Sequence, residues 1–532
     1  MRIPSLLLAT ALPAIVAAQP ASPPSPRAAA WWGDISVLAD DKMEGRLTGS
    51  PGYLRAAAHV EARMKALGLQ PAGEAGGYRQ SVAFEQQRID AARSKASLLG
   101  ADGKVTPLPI GDAMIIGAGG GPRPVHVDAP LVFVGYGLRL PQSGYDDFKG
   151  LDLRGKIAVV IAGGPADLPG PAKSAARNAR NALLGELGAV GVIGLTPPKQ
   201  VEIPWARTRV LASQSGMYLA DKALRETPDD FLSASFDPAQ SEALFAGSGH
   251  SFAELAAVSD ASGAMPTFAL PARLQATIAA SRSTLTSPNV IAKLEGSDPK
   301  LRDQYVVLSA HLDHLGIGEP IAGDRIYNGA MDDASGVASV LDIAERIAKG
   351  PRPKRSILFV IVTAEEKGLL GSTYYARRPT VPKTAIVADL NFDMPLPLWP
   401  LKTVLVQGDH ESTLGDPARA VAAAQGLRLI ADPLPNRNSF VRTDQFSFVK
   451  AGVPALSFKF GFEPGTPEFQ IEHDWRATRY HAPSDDLNQP VMKEEAIKLD
   501  DYVAALAVAV ANDPARPAWL PTSPFRAYAE AK

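Results

Sequence analysis

The chain has 532 residues, room for two to four domains at roughly 150 residues each. With 54 Lys+Arg against 56 Asp+Glu, the net charge of −2 gives no electrostatic basis for binding nucleic acid or a strongly anionic membrane. The chain contains no cysteine, which excludes disulfide frameworks, thiolate metal sites, iron–sulfur clusters and thiol nucleophiles, so any metal must be held by His, Asp and Glu.

Arg2 is followed by the apolar run Ile3 to Ala18, which ends in Val16-Ala17-Ala18. This reads as a signal peptide over 1–18, so the chain is expected to be exported, to the periplasm or out of the cell. The run is shorter than the ~20 residues a spanning helix needs, and no membrane span is expected in the mature chain. Residues 19–30, rich in Pro, Ala and Ser, read as a disordered tether. Ser50-Pro51 forms an N-cap and first-turn proline, and Ala57, Val60, Met64 and Leu67 then recur at helical spacing until Gly68.

The pattern changes near 125. Residues 129–138 and 155–163 are short, β-branched runs bounded by Gly and Pro, and 181–187 followed by 190–195 reads as helix then strand. This block, 119–287, is expected to be a β-rich insertion. It separates 31–118 from 288–515, which together form one discontinuous domain. After 288, strands are expected at 305–310, 357–363, 385–392, 402–407 and 453–460. Helices alternate with them, one from about Ser335 to Gly350 and a last one over 493–511. Continuous apolar strands separated by amphipathic helices predict an α/β fold with a mostly parallel central sheet flanked by helices.

Polar residues then fall at the strand ends. His311 and Asp313 follow the strand 305–310, Glu365 and Glu366 follow 357–363, Asp393 follows 385–392, and Asp332 and Asp333 precede the helix at Ser335. In an open α/β sheet these positions line one crevice beyond the carboxyl ends of the strands. Carboxylates gathered there repel one another, and a divalent cation resolves the conflict. Histidine plus carboxylate without thiolate suits zinc, with manganese or cobalt as substitutes, and the number of acids suggests two ions sharing a carboxylate. Any one of these acids alone would more often cap a helix or face solvent.

The segments AHLDHLG, GAMDDASG, TAEEKGLLGS, NFDM and YHAPSDD, in this order, resemble the zinc aminopeptidases of family M28, and the similarity covers about 31–512. The resemblance implies that His311 and Asp393 hold one zinc, that Glu366 and His481 hold the other, and that Asp332 bridges them. It implies Glu365 as general base, acting on a water shared by the two ions. Asp313 is implied as the carboxylate orienting His311, and Tyr480 as a group polarising the scissile carbonyl. It further implies a strained or cis peptide between Asp332 and Asp333, and a free substrate amino group held by nearby acids such as Asp333 or Asp444. His314 is given no ligand role, nor are His59, His126, His250, His410 and His473. The segment Arg442-Thr443-Asp444-Gln445 departs from the Arg-Ser-Asp-His of many relatives, which bears on substrate preference. The block 119–287 resembles a protease-associated domain.

The expected function is therefore an exported aminopeptidase with two zinc ions, acting on the N-terminal bonds of peptides. Carboxypeptidase or dipeptidase activity on the same scaffold is the alternative within the class. A receptor-like ectodomain requires lost ligands, and all five are present here.

Overall fold

The computed structural model describes residues 23–530 apart from 438. The signal-peptide segment 1–18 lies outside the described residues. Among them, no helix is long and apolar enough to cross a membrane.

The first helix, α1 (Pro26–Leu38), corrects the boundary of the expected tether. Ser25 caps it by accepting from the Ala28 N–H, and Pro26 occupies the first turn, where its missing N–H costs nothing. This is the same Ser-Pro signal that starts α2 (Pro51–Ala66). Pro- and Ala-rich composition suggested disorder, but Trp31, Ile35 and Leu38 form a buried stripe that docks the helix. Arg27 pairs with Asp342, and the Trp31 indole donates to Ser339 Oγ at 3.0 Å.

The main sheet contains β1 (Arg79–Ile89), β2 (Ala280–Leu294), β3 (Tyr305–His311), β4 (Ser356–Val362), β5 (Ile386–Phe392), β6 (Thr403–Gln407) and β7 (Ala455–Phe460). The order across it is β1-β2-β4-β3-β5-β7-β6, with Gly216–Leu219 beside β1 and Arg428–Ile430 beside β6. β4, β3, β5 and β7 are parallel, as expected of the central part. β2 pairs with β4, and β6 with β7, antiparallel, so the sheet is mixed. Apolar runs report burial on both faces, which antiparallel β6 shares with the parallel strands, and they carry no information on direction.

One face of the sheet packs on α1, α3 (Ser335–Lys349) and α5 (Lys493–Asn512). There Leu308 and Phe359 meet Trp31, Leu341 and Val503. The opposite face meets the short helices Leu370–Arg377 and Gln445–Lys450 through Val307, Val360, Tyr375 and Phe448. Covered on both sides, β3, β4 and β5 are fully buried, so their carboxyl ends are fixed by a packed core.

β1 and β2 form a long antiparallel ladder, from Arg79–Val290 to Ile89–Ala280, that carries the chain out to a second sheet and back. That sheet has eight strands, drawn from Lys95–Leu99 through Phe268–Thr277. It therefore begins before 119 and ends before 287. The tail of the expected block, 280–287, belongs to β2 of the main sheet. Inside the second sheet His126–Phe133, Ile157–Ile161, Gly191–Leu195 and Leu232–Phe236 run parallel, with the helix Gly170–Glu186 between the middle two.

Candidate metal centre

Because β3, β4 and β5 are parallel neighbours, the residues that follow them emerge on the same edge. His311 ends β3, Glu365 and Glu366 follow β4, and Asp393 follows β5. Asp332 and Asp333 precede α3, and His481 follows α4 (Pro467–Thr478). The structure brings all of them together. His311 Nε2 lies 3.2 Å from Asp332 Oδ1 and 4.0 Å from Asp393 Oδ2. His481 Nε2 lies 3.4 Å from Asp332 Oδ2 and 3.1 Å from Glu366 Oε2. Asp332 thus faces each histidine with a different oxygen. The peptide Asp332–Asp333 is cis.

This donor set fits a metal. Two ligands at about 2.0–2.1 Å on one tetrahedral zinc lie about 3.3 Å apart, close to three of these four separations. His311 Nε2 and Glu366 Oε1 are buried without hydrogen-bond partners. Such orphaned atoms in a dry site are costly unless something charged or polar completes them. His311, Asp332 and Asp393 also offer ligand atoms near enough to share one ion, as do His314, Asp332 and Glu366.

The electrostatics separate the acids. Burial alone pushes every carboxyl here upward. For Asp332 the contacts with His311 and His481 outweigh burial and hold it well below the usual carboxylate range. For Glu366, His481 and His314 likewise outweigh burial. Glu365 lies well above its usual value, because burial is joined by Asp393 and Glu366 and only His311 opposes it. Adjacent glutamates therefore sit in opposite environments, one suited to hold a cation and one to hold a proton. Lys459, on β7, donates to the Asp393 carbonyl at 2.6 Å and lies 3.8 Å from its Oδ1, adding positive charge beside that ligand.

Asp313 requires a correction. The atom that faces His311 Nδ1 is the Asp313 backbone carbonyl, at 3.0 Å, rather than its carboxylate. A carbonyl only accepts, so Nδ1 donates to it and Nε2 is left facing Asp332. The carboxylate instead accepts from the Glu365 N–H at 3.0 Å and from Thr48 Oγ1 at 3.0 Å. Asp313 therefore orients His311 through its main chain and Glu365 through its side chain. Asp333 is fully buried, and its Oδ1 accepts from the Gly336 and Met394 N–H groups. Oδ1 thereby joins α3 to the Asp393 turn, while Oδ2 has no hydrogen-bond partner. Asp444 is also fully buried, and burial pushes it up to about 7. The Tyr480 ring stacks on His481 at 3.9 Å between centroids, with the Arg476 guanidinium 4.9 Å from its centre.

Sequence reasoning left several supporting residues without a role. Asp485, in the same YHAPSDD segment as His481, accepts from the Met331 and Asp332 N–H groups at 3.0 Å and so grips the main chain of Asp332. Arg46 is fully buried and donates to the carbonyls of Leu38, Leu312, Asn328 and Gly329, tying the N-terminal segment to two site loops. Its signal was a charged residue in MEGRLTGS, indistinguishable from a solvated turn without the fold. Arg46→Met would take the guanidinium donor from four carbonyls, of which Gly329 keeps the Ala334 N–H, and remove a buried cation among acids. Urea titration is expected to show a loss of about 3–5 kcal/mol; a loss below about 1 kcal/mol would refute this role.

The inserted block reaches the site as well. Arg207 donates to the Tyr480 and Ala477 carbonyls, and Gln214 donates to the Leu315 carbonyl at 3.0 Å and accepts from Lys367 at 3.2 Å. The remaining histidines are peripheral: His59 pairs with Asp34, His250 stacks on Phe268, and His410 and His473 neighbour aspartates on the surface.

Carboxylates and histidines thus converge at the strand ends of an α/β sheet, in groups that could hold a metal ion. Residues 289–507 match the model of peptidase family M28. It is 32% identical over 240 residues to a probable leucine aminopeptidase 2 of Aspergillus fumigatus, a match covering 42% of this chain and 44% of that protein. It is 36% identical over 110 residues to a probable zinc metalloprotease of Pyrenophora tritici-repentis, covering 21% of this chain and 22% of the other. The chain thus spans less than half the length of the curated relatives it matches. In fold it is similar to the aminopeptidase from Aneurinibacillus sp. strain AM-1, with a TM-score of 0.53 and 21% identity over 92% of this chain and 95% of that one.

Proposed function

We propose that this chain is an exported aminopeptidase that binds two zinc ions and hydrolyses the N-terminal bond of peptides. The observation that carries the reading is the placement of Asp332, one oxygen toward His311 and the other toward His481. His311, Asp393 and Asp332 would hold one ion, and Glu366, His481 and Asp332 the other. Bound zinc would lower the pKa of a water toward neutrality and polarise the scissile carbonyl.

The protein's own groups supply the rest. Glu365 takes the proton of the attacking water and passes it to the departing amine, as its proton-favouring surroundings suit. Asp313 keeps the Glu365 main chain in place. Tyr480, held against His481, contributes a hydroxyl toward the developing oxyanion. The segment around Arg207 and Gln214 bonds to the Tyr480 and Leu315 carbonyls, next to the site residues, where it would favour chain ends over internal bonds. The second sheet is read as a protease-associated domain, and the run 1–18 as a signal peptide.

The names of the fungal relatives make leucine the first residue to try. The test compares a leucyl peptide with its N-acetylated form, each with and without a chelator. The free peptide is expected to be cleaved with loss of its first residue. The acetylated peptide is expected to fall in kcat/KM by at least about 10², the cost of losing a charged contact of ~3 kcal/mol. Equal rates on both would overturn the aminopeptidase reading in favour of carboxypeptidase or endopeptidase activity.

A further inference from the structure

His314 lies three residues beyond His311 and carries no role in the chemistry above. Its side chain is fully buried, and Nδ1 approaches Glu366 Oε1 to 2.7 Å while remaining 3.9 Å from Asp332 Oδ2. No hydrogen bond satisfies either ring nitrogen, and Glu366 Oε1 has none either. The imidazole is fixed in place. Its main-chain N–H donates to the Arg46 carbonyl at 3.2 Å. Its ring lies so close to Gly329 that a Cβ there would come 2.6 Å from His314 Cγ.

The spacings distinguish the two histidines on this side of the site. Two ligands of one tetrahedral zinc stand about 3.3 Å apart. His481 meets that condition to both carboxylates, at 3.1 and 3.4 Å. His314 is too near one and too far from the other, and at 2.7 Å its Nδ1 makes an ion-pair contact with Glu366 Oε1 instead of sharing an ion with it. Glu366 therefore presents Oε2 to His481 and Oε1 to His314.

Resting on the two-zinc reading above, we propose that His314 is a positioning residue for Glu366. The close contact of Nδ1 with Oε1 holds that oxygen to His314 and turns Oε2 toward the second ion. Partners that orient a ligand typically change metal affinity 10–100-fold when removed. His314 would set the affinity of the second site while leaving the His311–Asp393 site unchanged.

The test is a zinc titration of metal-free protein in competition with a chromogenic chelator, on wild type, His314→Leu and His314→Asn. Leu approximates the bulk without a donor; the Asn amide places an N–H near the position of Nδ1. Wild type is expected to bind two ions. His314→Leu is expected to keep the tighter ion and bind the second about 10–100-fold more weakly, with His314→Asn recovering most of that loss. Wild-type affinity for both ions in His314→Leu would overturn the proposal. So would equal weakening in the Leu and Asn variants, which would mean that shape alone matters. Should circular dichroism show His314→Leu unfolded, His314→Asn decides: folded with near wild-type second-site affinity supports the proposal, and weakened affinity overturns it. A wild type that binds a single ion would instead refute the two-zinc reading, an outcome visible without any variant.

Discussion

Glu365→Gln is expected to lower kcat by about 10²–10⁴ while leaving zinc content and folding at wild-type level, since a positioned general base contributes that range. The substitution keeps size and leaves the main-chain N–H bonded to Asp313, so the loop holds its shape. Glu366→Gln should fail differently. Glu366 faces His481 and His314 and lies well below its usual pKa, the condition of a carboxylate that holds positive charge. A neutral amide is a poorer ligand, so the variant should lose zinc and regain part of its activity when zinc is added. Added zinc should restore nothing to Glu365→Gln. Parallel measurements of kcat and bound zinc separate the two. Zinc loss in Glu365→Gln with retention in an inactive Glu366→Gln would exchange the roles, and full activity in both would place the site elsewhere.

Asp332→Asn is expected to be the most damaging single change, because each of its oxygens faces a different histidine. Both metal groups lose a charged ligand, and kcat/KM should fall by at least about 10³–10⁴, as when a member of an interdependent unit is removed. The fold should survive. Asp485 grips the main-chain N–H groups of Met331 and Asp332, not the Asp332 side chain. In zinc-free protein the variant should be less stable than wild type near neutral pH, since the contacts with His311 and His481 outweigh burial and favour the charged carboxylate. Thermal melts of both proteins in chelator check this; an unchanged or higher melting temperature for the variant would show that these contacts do not support the fold.

The strands that carry the site were legible because fully buried strands read as unbroken apolar runs, and because polar residues immediately after such runs must sit at a sheet edge. Asp313 and Asp333 were legible as acids in the right place, but not as to which atom does what. The Asp313 carbonyl, rather than its carboxylate, faces His311, and the Asp333 carboxylate serves two main-chain N–H groups. Such choices depend on local turn geometry that residue type does not encode. Arg46, Lys459 and Asp485 were invisible for a different reason. A single charge in a loop or strand is ordinarily solvated, and only the assembled core reveals that these three are buried against the site. The Pro- and Ala-rich composition of 19–30 hides α1, although Ser25-Pro26 is the same cap signal as Ser50-Pro51. The extent of the second sheet is not legible in the sequence, because β1 and β2 lead from the main sheet to it without a break in pattern.

The measurement closest to the central claim is the zinc content of metal-replete protein after removal of free ion. Sharing of Asp332 between His311 and His481 predicts about two zinc per chain, lost together with activity on chelation and restored together on adding zinc back. One zinc per chain at full activity, or none after reconstitution, would contradict the two-metal centre.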